Sequence, residues 1–517
     1  MSTLTGAPLL LRQAVRRDRV LVPGWVAVLV VMTYASASAT TALFGSSAER
    51  VRLATEINGQ PGLLALYGPI LDPDSAGELA MSKLTVLYAL FSAGLYVAVV
   101  RRHTRVEEES GRAELVGGTV VGRDAPLAAA VMECAALAIG LGCLLALAGT
   151  AGGLPWAGSV WFGVVWAGTG VVATGVAAVA CQVSASARTC SALAAGALAG
   201  AYTVRAVGDA VEGLGWLSWL SPLGWNTQLR AWSEPRWWVV ALYLVTSAAL
   251  VAVAQLMRSH RDLGAGLVTM RPGPAQSRLA GPWGLTLRLQ RTSLLLWTVG
   301  VAAMGLAFGA MAPGFDDLLA GSGGEELIDR LGGSFIGALL SVTAVLVTPF
   351  AISVVAAAHH DRVEGRTGLV LATAVSRARW FGAIAGVALA GSAFLLIVCA
   401  LGLSIGYGAA GGGDAPSAMT AALGWIPAVG VVGGVALLGL AVGRPWLGWA
   451  FFVLSLTLTL VGELLELPVW LQDLSPYSAV PMYPIEPWRW PPLLVLTALA
   501  ALLVSLAWFV FRAGDVE

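Results

Sequence analysis

The side chains able to do chemistry in this chain are few, and lysine is the first to test. There is one, Lys83. A phosphate-binding loop ends in Gly-Lys-Ser/Thr. Its ammonium must reach the outer phosphates while backbone N–H groups cradle the inner ones. Lys83 lies in Ala80-Met81-Ser82-Lys83-Leu84, with no glycine loop before it, so this route to nucleotide hydrolysis is closed. The five cysteines (Cys134, Cys143, Cys181, Cys190 and Cys399) all fall inside apolar runs. Their spacing suits neither a zinc site nor a disulfide framework, and they read as small packed residues. His359-His360-Asp361 reads as an edge-of-membrane surface cluster. Glu133 stands inside an apolar run near its start. A central carboxylate costs about 2.5–3.5 kcal/mol on insertion scales, so Glu133 reads as a hydrogen-bonded structural group near an interface. The expectation is no catalytic residue, no metal and no cofactor held by this chain.

The elements that must position these groups are membrane helices. Of 517 residues, 57% are hydrophobic and 12% charged, and the mean hydropathy is +0.78. A soluble chain of this length needs more charge to cover its surface. The formal net charge is zero, so no global attraction to nucleic acid follows. A span needs about 20 mostly apolar residues. Twelve such stretches are present: 21–44, 82–100, 127–149, 159–181, 189–207, 237–257, 292–312, 336–357, 383–407, 419–442, 447–466 and 491–511. Twenty tryptophans, many near the ends of these runs, fit interfacial belts. Ala35-Ser36-Ala37 resembles a signal-cleavage site, but the apolar stretch continues to Phe44, and a span is expected instead.

The positive-inside rule orients the set. With the N-terminus inside, the inner segments hold 22 of the 30 Lys/Arg residues, giving an N-in, C-in multi-pass protein of the cell membrane. Arg12, Arg16 and Arg19, beside Leu11, Ala14 and Val15, read as an amphipathic helix along the inner leaflet, with Pro8 at its start.

An internal repeat divides the chain. Gly111 to Arg123 reads GRAELVGGTVVGR, and Gly365 to Arg377 reads GRTGLVLATAVSR. At a constant offset of 254 residues, seven of thirteen positions are identical. Each copy lies in the inner loop after the second span of a six-span half. The halves are therefore tandem and parallel: 1–257, a linker 258–291, and 292–517. The first loop carries Arg101, Arg102, Arg105, Glu107, Glu108, Glu109, Arg112 and Glu114. Glu108 and Arg112 stand at i,i+4 in the favourable order, which predicts a short charged helix at the membrane surface.

These residues carry a resemblance. Glu108-Glu109-Ser110-Gly111-Arg112-Ala113-Glu114-Leu115 and its second copy Val363-Glu364-Gly365-Arg366-Thr367-Gly368-Leu369 resemble the twelve-span permeases of the ABC-2 exporter superfamily, actinobacterial "exporter of polyketide antibiotics" type. The stretches Arg261-Asp262-Leu263-Gly264-Ala265-Gly266-Leu267, Arg271-Pro272-Gly273-Pro274-Ala275 and Leu220-Ser221-Pro222-Leu223-Gly224-Trp225 match as well. The resemblance implies a permease that exports hydrophobic drug- or antibiotic-like compounds. ATP and Mg would be bound by a separate ATPase subunit, two copies per chain. It assigns the docking surface to Glu107, Glu108, Glu109, Gly111, Arg112, Glu114 and Leu115, and to Arg362, Glu364, Gly365, Arg366 and Leu369. The second copy has Gly368 in place of Glu114 and fewer acids, so unequal docking surfaces are expected.

The substrate path implied by two facing halves runs along their second and fifth spans. Tyr88, Phe91 and Leu95 share one helical face. Phe335, Leu339 and Thr343 in span eight are spaced similarly, and span eleven adds Phe451, Phe452 and Thr457. Two rival readings remain. One is a major-facilitator-type drug antiporter, suggested faintly by Asp361-Arg362-Val363-Glu364-Gly365-Arg366. The other is a membrane enzyme acting on lipid carriers, which would need more acid and histidine clusters.

Overall fold

The computed structural model describes residues 3–59, 61–211, 213–268, 281–321, 335–410, 416–461, 468–472, 474–481, 483 and 487–514. Among these the chain is helical and without strands, an all-α integral membrane protein. Among the described residues, eleven helices are long and apolar enough to cross a bilayer. The expected span at 447–466 is represented, among the described residues, by the helix Trp446–Val461. The helix Gly281–Gly321 begins eleven residues before the apolar run, inside the stretch read as linker. The chain packs as two compact units, Met1–Gly273 and Pro274–Glu517.

Unit 1 opens with α1 (Ala7–Arg17), whose Pro8 occupies the first turn, where its missing N–H costs nothing. Then follow α2 (Leu21–Leu43), α3 (Ser47–Asn58), α4 (Pro61–Tyr67), α5 (Ala76–Lys83) and α6 (Ala89–His103). A π-turn, Leu84–Tyr88, joins α5 to α6. The short helices α7 (Arg105–Glu109) and α8 (Arg112–Gly117) precede the long helices α9 (Ala125–Ala151), α10 (Trp156–Val183) and α11 (Ala187–Ala210). The short α12 (Gly224–Gln228) and the long α13 (Val239–Ser259) complete the unit.

Helix α10 is the centre of this bundle, packed against α6, α9, α11 and α13. Its Phe162 and Trp166 are buried, and Tyr96 and Tyr243 close on it from α6 and α13. A buried amide ties three segments together here. Asn226 accepts from the Tyr243 hydroxyl at 2.7 Å and from Thr169 at 3.1 Å, and donates to the Thr85 carbonyl at 2.7 Å. Thr85 lies in the π-turn, where the helical ladder is interrupted and a carbonyl is open to such a partner. The buried Arg205 donates to the carbonyls of Leu64 and Ala65 and pairs with Asp209 at 3.1 Å, while Tyr202 donates to the Leu66 carbonyl. Together they bond carbonyls in the last turn of α4, where those of Ala65 and Leu66 lack a helical partner and that of Leu64 also accepts from the Gly68 N–H.

In unit 2 the helices Gly281–Gly321 and Arg377–Ala409 lie in close contact. Four glycines set the approach. A Cβ on Gly305 would lie 2.3 Å from the Cys399 carbonyl, and one on Gly309 would lie 2.1 Å from that of Leu403. Gly402 and Gly406 face back with 2.8 and 2.2 Å. Small residues every fourth position let backbones meet where lipid supplies no hydrophobic drive between helices. Phe335–Val363 packs against Arg377–Ala409 and Pro416–Ala441, and the latter packs against Trp490–Ala513. Thr348 shares a 2.7 Å hydrogen bond with Tyr477, anchoring a loop segment to a span.

Candidate functional site

The second span of unit 1 does not end at its last apolar residue. It runs on through Arg101, Arg102 and His103, breaks at Thr104 (φ −121°), and resumes as α7. Gly111, at φ +72°, then breaks the chain again and caps α8. That backbone region is open to glycine and strained for other L-residues. The loop is therefore two short helices at an angle. The Glu108–Arg112 pair expected from i,i+4 spacing does not form, because Gly111 interrupts the turn between them.

Glu108 turns inward instead. Arg261 donates to it through two guanidinium nitrogens, at 2.7 Å to Oε1 and 2.8 Å to Oε2. Arg105 pairs with it from one turn before, and the Gly264 N–H donates to it at 3.3 Å. The three side chains are buried. Arg105 also donates to the Ala265 carbonyl at 2.8 Å, and Arg261 to the Gln182 side chain at 2.9 Å. Arg123 and Arg258 exchange hydrogen bonds with each other's carbonyls, 2.9 and 2.7 Å. The Leu267 and Val268 N–H groups bond the carbonyls at the end of α10, 3.2 and 3.0 Å. So the segment after α13 is a strap that holds α7 against α10. Bidentate, buried guanidinium–carboxylate pairs fix geometry as well as charge.

Glu109 accepts from the Ala187 N–H at 2.6 Å, at the start of α11, where a carboxylate meets unpaired N–H groups and the positive end of the helix dipole. Glu107 pairs with Arg17 of α1 and with Arg112 at 3.2 Å. These acids, expected on a docking surface, are thus occupied within unit 1. What projects outward is α8: Arg112 and Glu114 are exposed, and Leu115 is 76% exposed. Between α1, α7, α8 and the strap lies a cavity of about 640 Å3, lined among others by Leu10, Arg17, Glu107, Arg112, Val116 and Arg258.

Unit 2 repeats this local design. Gly365 has φ +72° and caps the helix Arg366–Leu371. Arg366 pairs with Asp361 at 3.0 Å, as Arg112 pairs with Glu107, 254 positions earlier. Arg366 also pairs with Glu364 at 2.8 Å, where Arg112 donates to Ser110. Leu369, the counterpart of Leu115, is 73% exposed. His360 lies 2.9 Å from Glu364. Arg362 stands where unit 1 has Glu108. It donates to the Leu440 carbonyl at 3.3 Å and lies 5.8 Å from the Phe511 ring.

The residues assigned to a substrate path are less uniform. Phe91 is 57% exposed and meets Tyr88 edge-on, with ring centroids 6.3 Å apart, but Leu95 on the same face is buried in unit 1. Leu339 and Thr343 are buried in unit 2, the threonine bonded to the Leu339 carbonyl and 3.5 Å from Cys399. Phe452 is buried, Phe451 half-buried and Thr457 exposed. The side chain of Phe335 lies outside the described residues.

The sequence reading missed Arg261 as the partner of Glu108, although it heads a quoted linker motif. It also missed His103 and Asp18, which meet Glu133 near the start of α9. His103 Nε2 is 2.8 Å from Asp18 and 3.5 Å from Glu133.

Residues 279–512 match the family model described as the C-terminal domain of the multidrug efflux system permease Rv1217c. The whole chain is similar to the multidrug efflux system permease protein Rv1217c of Mycobacterium tuberculosis (strain ATCC 25618 / H37Rv). The two are 39% identical over 532 residues, covering 100% of this chain and 96% of the relative. Identity at that level over essentially both full lengths leaves one assignment: this chain belongs to the Rv1217c family of multidrug efflux system permeases.

Proposed function

We propose that this chain is the membrane subunit of an ATP-driven exporter of hydrophobic drug-like compounds, with ATP hydrolysed by a separate subunit that docks in two copies. The observation that carries the reading is the repeated outward helix. Leu115 and Leu369 are both largely exposed. Each stands on a one-and-a-half-turn helix opened by a glycine at φ +72° and braced by an acid–arginine pair. An exposed apolar side chain on a rigid, charged, loop-borne helix fits the groove of a partner protein. The absence of a Gly-Lys-Ser/Thr loop requires that partner to bring the nucleotide site. The name of the relative supports efflux of several compounds.

In this reading the chain sits N-in and C-in in the cell membrane, as two parallel six-span halves, and α8 and its counterpart face the cytoplasm. ATP and Mg belong to the partner. The paired acids Glu107, Glu108 and Glu109 brace α7, and the docking contact itself falls to α8 and Arg366–Leu371. The test is co-expression with a candidate ABC ATPase subunit. Leu115→Glu combined with Leu369→Glu should release the ATPase from the purified permease without altering permease yield. Retention of the ATPase by the double variant would refute the docking assignment.

A further inference from the structure

Three ligand-bearing side chains meet where α1, α6 and α9 come together. Asp18 is buried at the end of α1, Glu133 is buried two turns into α9, and His103 is the last residue of α6. One donor atom of each lies within 4.8 Å of the other two. In sequence they stand 85 and 30 positions apart, so no spacing motif announces them.

The geometry at His103 is the informative part. Asp18 Oδ2 lies 2.8 Å and Glu133 Oε2 lies 3.5 Å from the same ring nitrogen, Nε2. One hydrogen on Nε2 serves Asp18, and Glu133 Oε2 receives no hydrogen bond. Protonating the imidazole does not help, because the second N–H sits on Nδ1, across the ring. Charge is unbalanced as well. Arg102 lies 2.8 Å from Asp18 Oδ1, so with neutral His103 the buried group carries one excess negative charge. A buried carboxylate without a hydrogen bond or counter-charge is costly.

A cation in place of the Nε2 hydrogen resolves both defects. Metal bonds of about 2.1 Å put neighbouring donors about 3.0–3.4 Å apart, and the two distances to Nε2 bracket that range. One imidazole with two carboxylates suits a borderline divalent ion rather than calcium or a soft ion. His103 lines the 640 Å3 cavity, which gives an ion a way in.

We propose that Asp18, His103 and Glu133 bind one divalent transition-metal ion of the Zn2+/Co2+ class. The ion ties the α1–α2 junction to the ends of α6 and α9. It thereby fixes the root of α7, two residues beyond His103.

The test uses the full-length protein purified in detergent and stripped with a chelator, then titrated with Co2+ and challenged with Zn2+. The expected result is one Co2+ per chain with a visible absorption band, displaced by one equivalent of Zn2+. His103→Ala and Glu133→Gln should each weaken Co2+ binding tenfold or more. Glu133→Gln decides if His103→Ala fails to insert, since it keeps shape and removes only the charge. No saturable one-to-one binding would overturn the proposal, as would binding unchanged in Glu133→Gln.

Discussion

Arg261 grips Glu108 through two nitrogens, at 2.7 and 2.8 Å, from 153 residues further along the chain. The pair makes the strap after α13 part of the segment that follows α6. Through the strap, buried charged contacts tie α7 to α10 and α13.

Removing one partner of that pair should be costly. Glu108→Gln leaves two buried guanidinium groups, Arg105 and Arg261, without their counter-charge, for which about 3–5 kcal/mol is typical, whereas Arg261→Ala leaves Glu108 paired with Arg105 and should cost less. Thermal unfolding of the purified protein checks this, and the double variant Glu108→Gln/Arg261→Ala should recover part of the loss. Exposed Glu114→Gln should leave the melting temperature unchanged.

Gly111 and Gly365 offer a purely conformational test. Nothing lies within 4 Å of a Cβ at either position, so alanine meets no clash there and is opposed only by φ +72°. Gly111→Ala and Gly365→Ala should each destabilise by about 1–2 kcal/mol. Asparagine, which tolerates that region, should cost less than alanine. Equal melting points for both substitutions would show that the two short helices are not held at this angle.

The glycine seam of unit 2 predicts a position-dependent result. Gly309→Val drives side-chain atoms into the Leu403 carbonyl, and Gly300→Val on the same helix meets open space. The first should reduce folded yield sharply, with overpacking at about 1–3 kcal/mol or more. The second should express like the wild type, as read by fluorescence-detected size exclusion.

Much of the fold was legible because spans obey a length rule set by the bilayer and the repeat survives in thirteen contiguous positions. Leu115 and Leu369 stand out in sequence as partners at one offset, and they are exposed together. The roles of Glu107, Glu108 and Glu109 were not legible. Which acid faces in depends on the break at Thr104 and on φ at Gly111, and neither appears in an i,i+4 count. Arg261 and His103 were hidden for a related reason. Their partners are distant in sequence, and a buried pair between distant segments leaves no local pattern. The expected path residues split between buried and exposed because one helical face can pack within a unit at Leu95 and open outward at Phe91 only a turn away.

On the function proposed above, export by this chain is powered by nucleotide hydrolysis on a docked subunit. The direct measurement is transport of a fluorescent hydrophobic compound in proteoliposomes containing the purified permease, with and without the co-expressed ATPase. The account predicts transport only with ATPase and ATP together, insensitive to a protonophore, with two ATPase copies per permease. Transport by the permease alone, driven by a proton gradient and abolished by the protonophore, would contradict it.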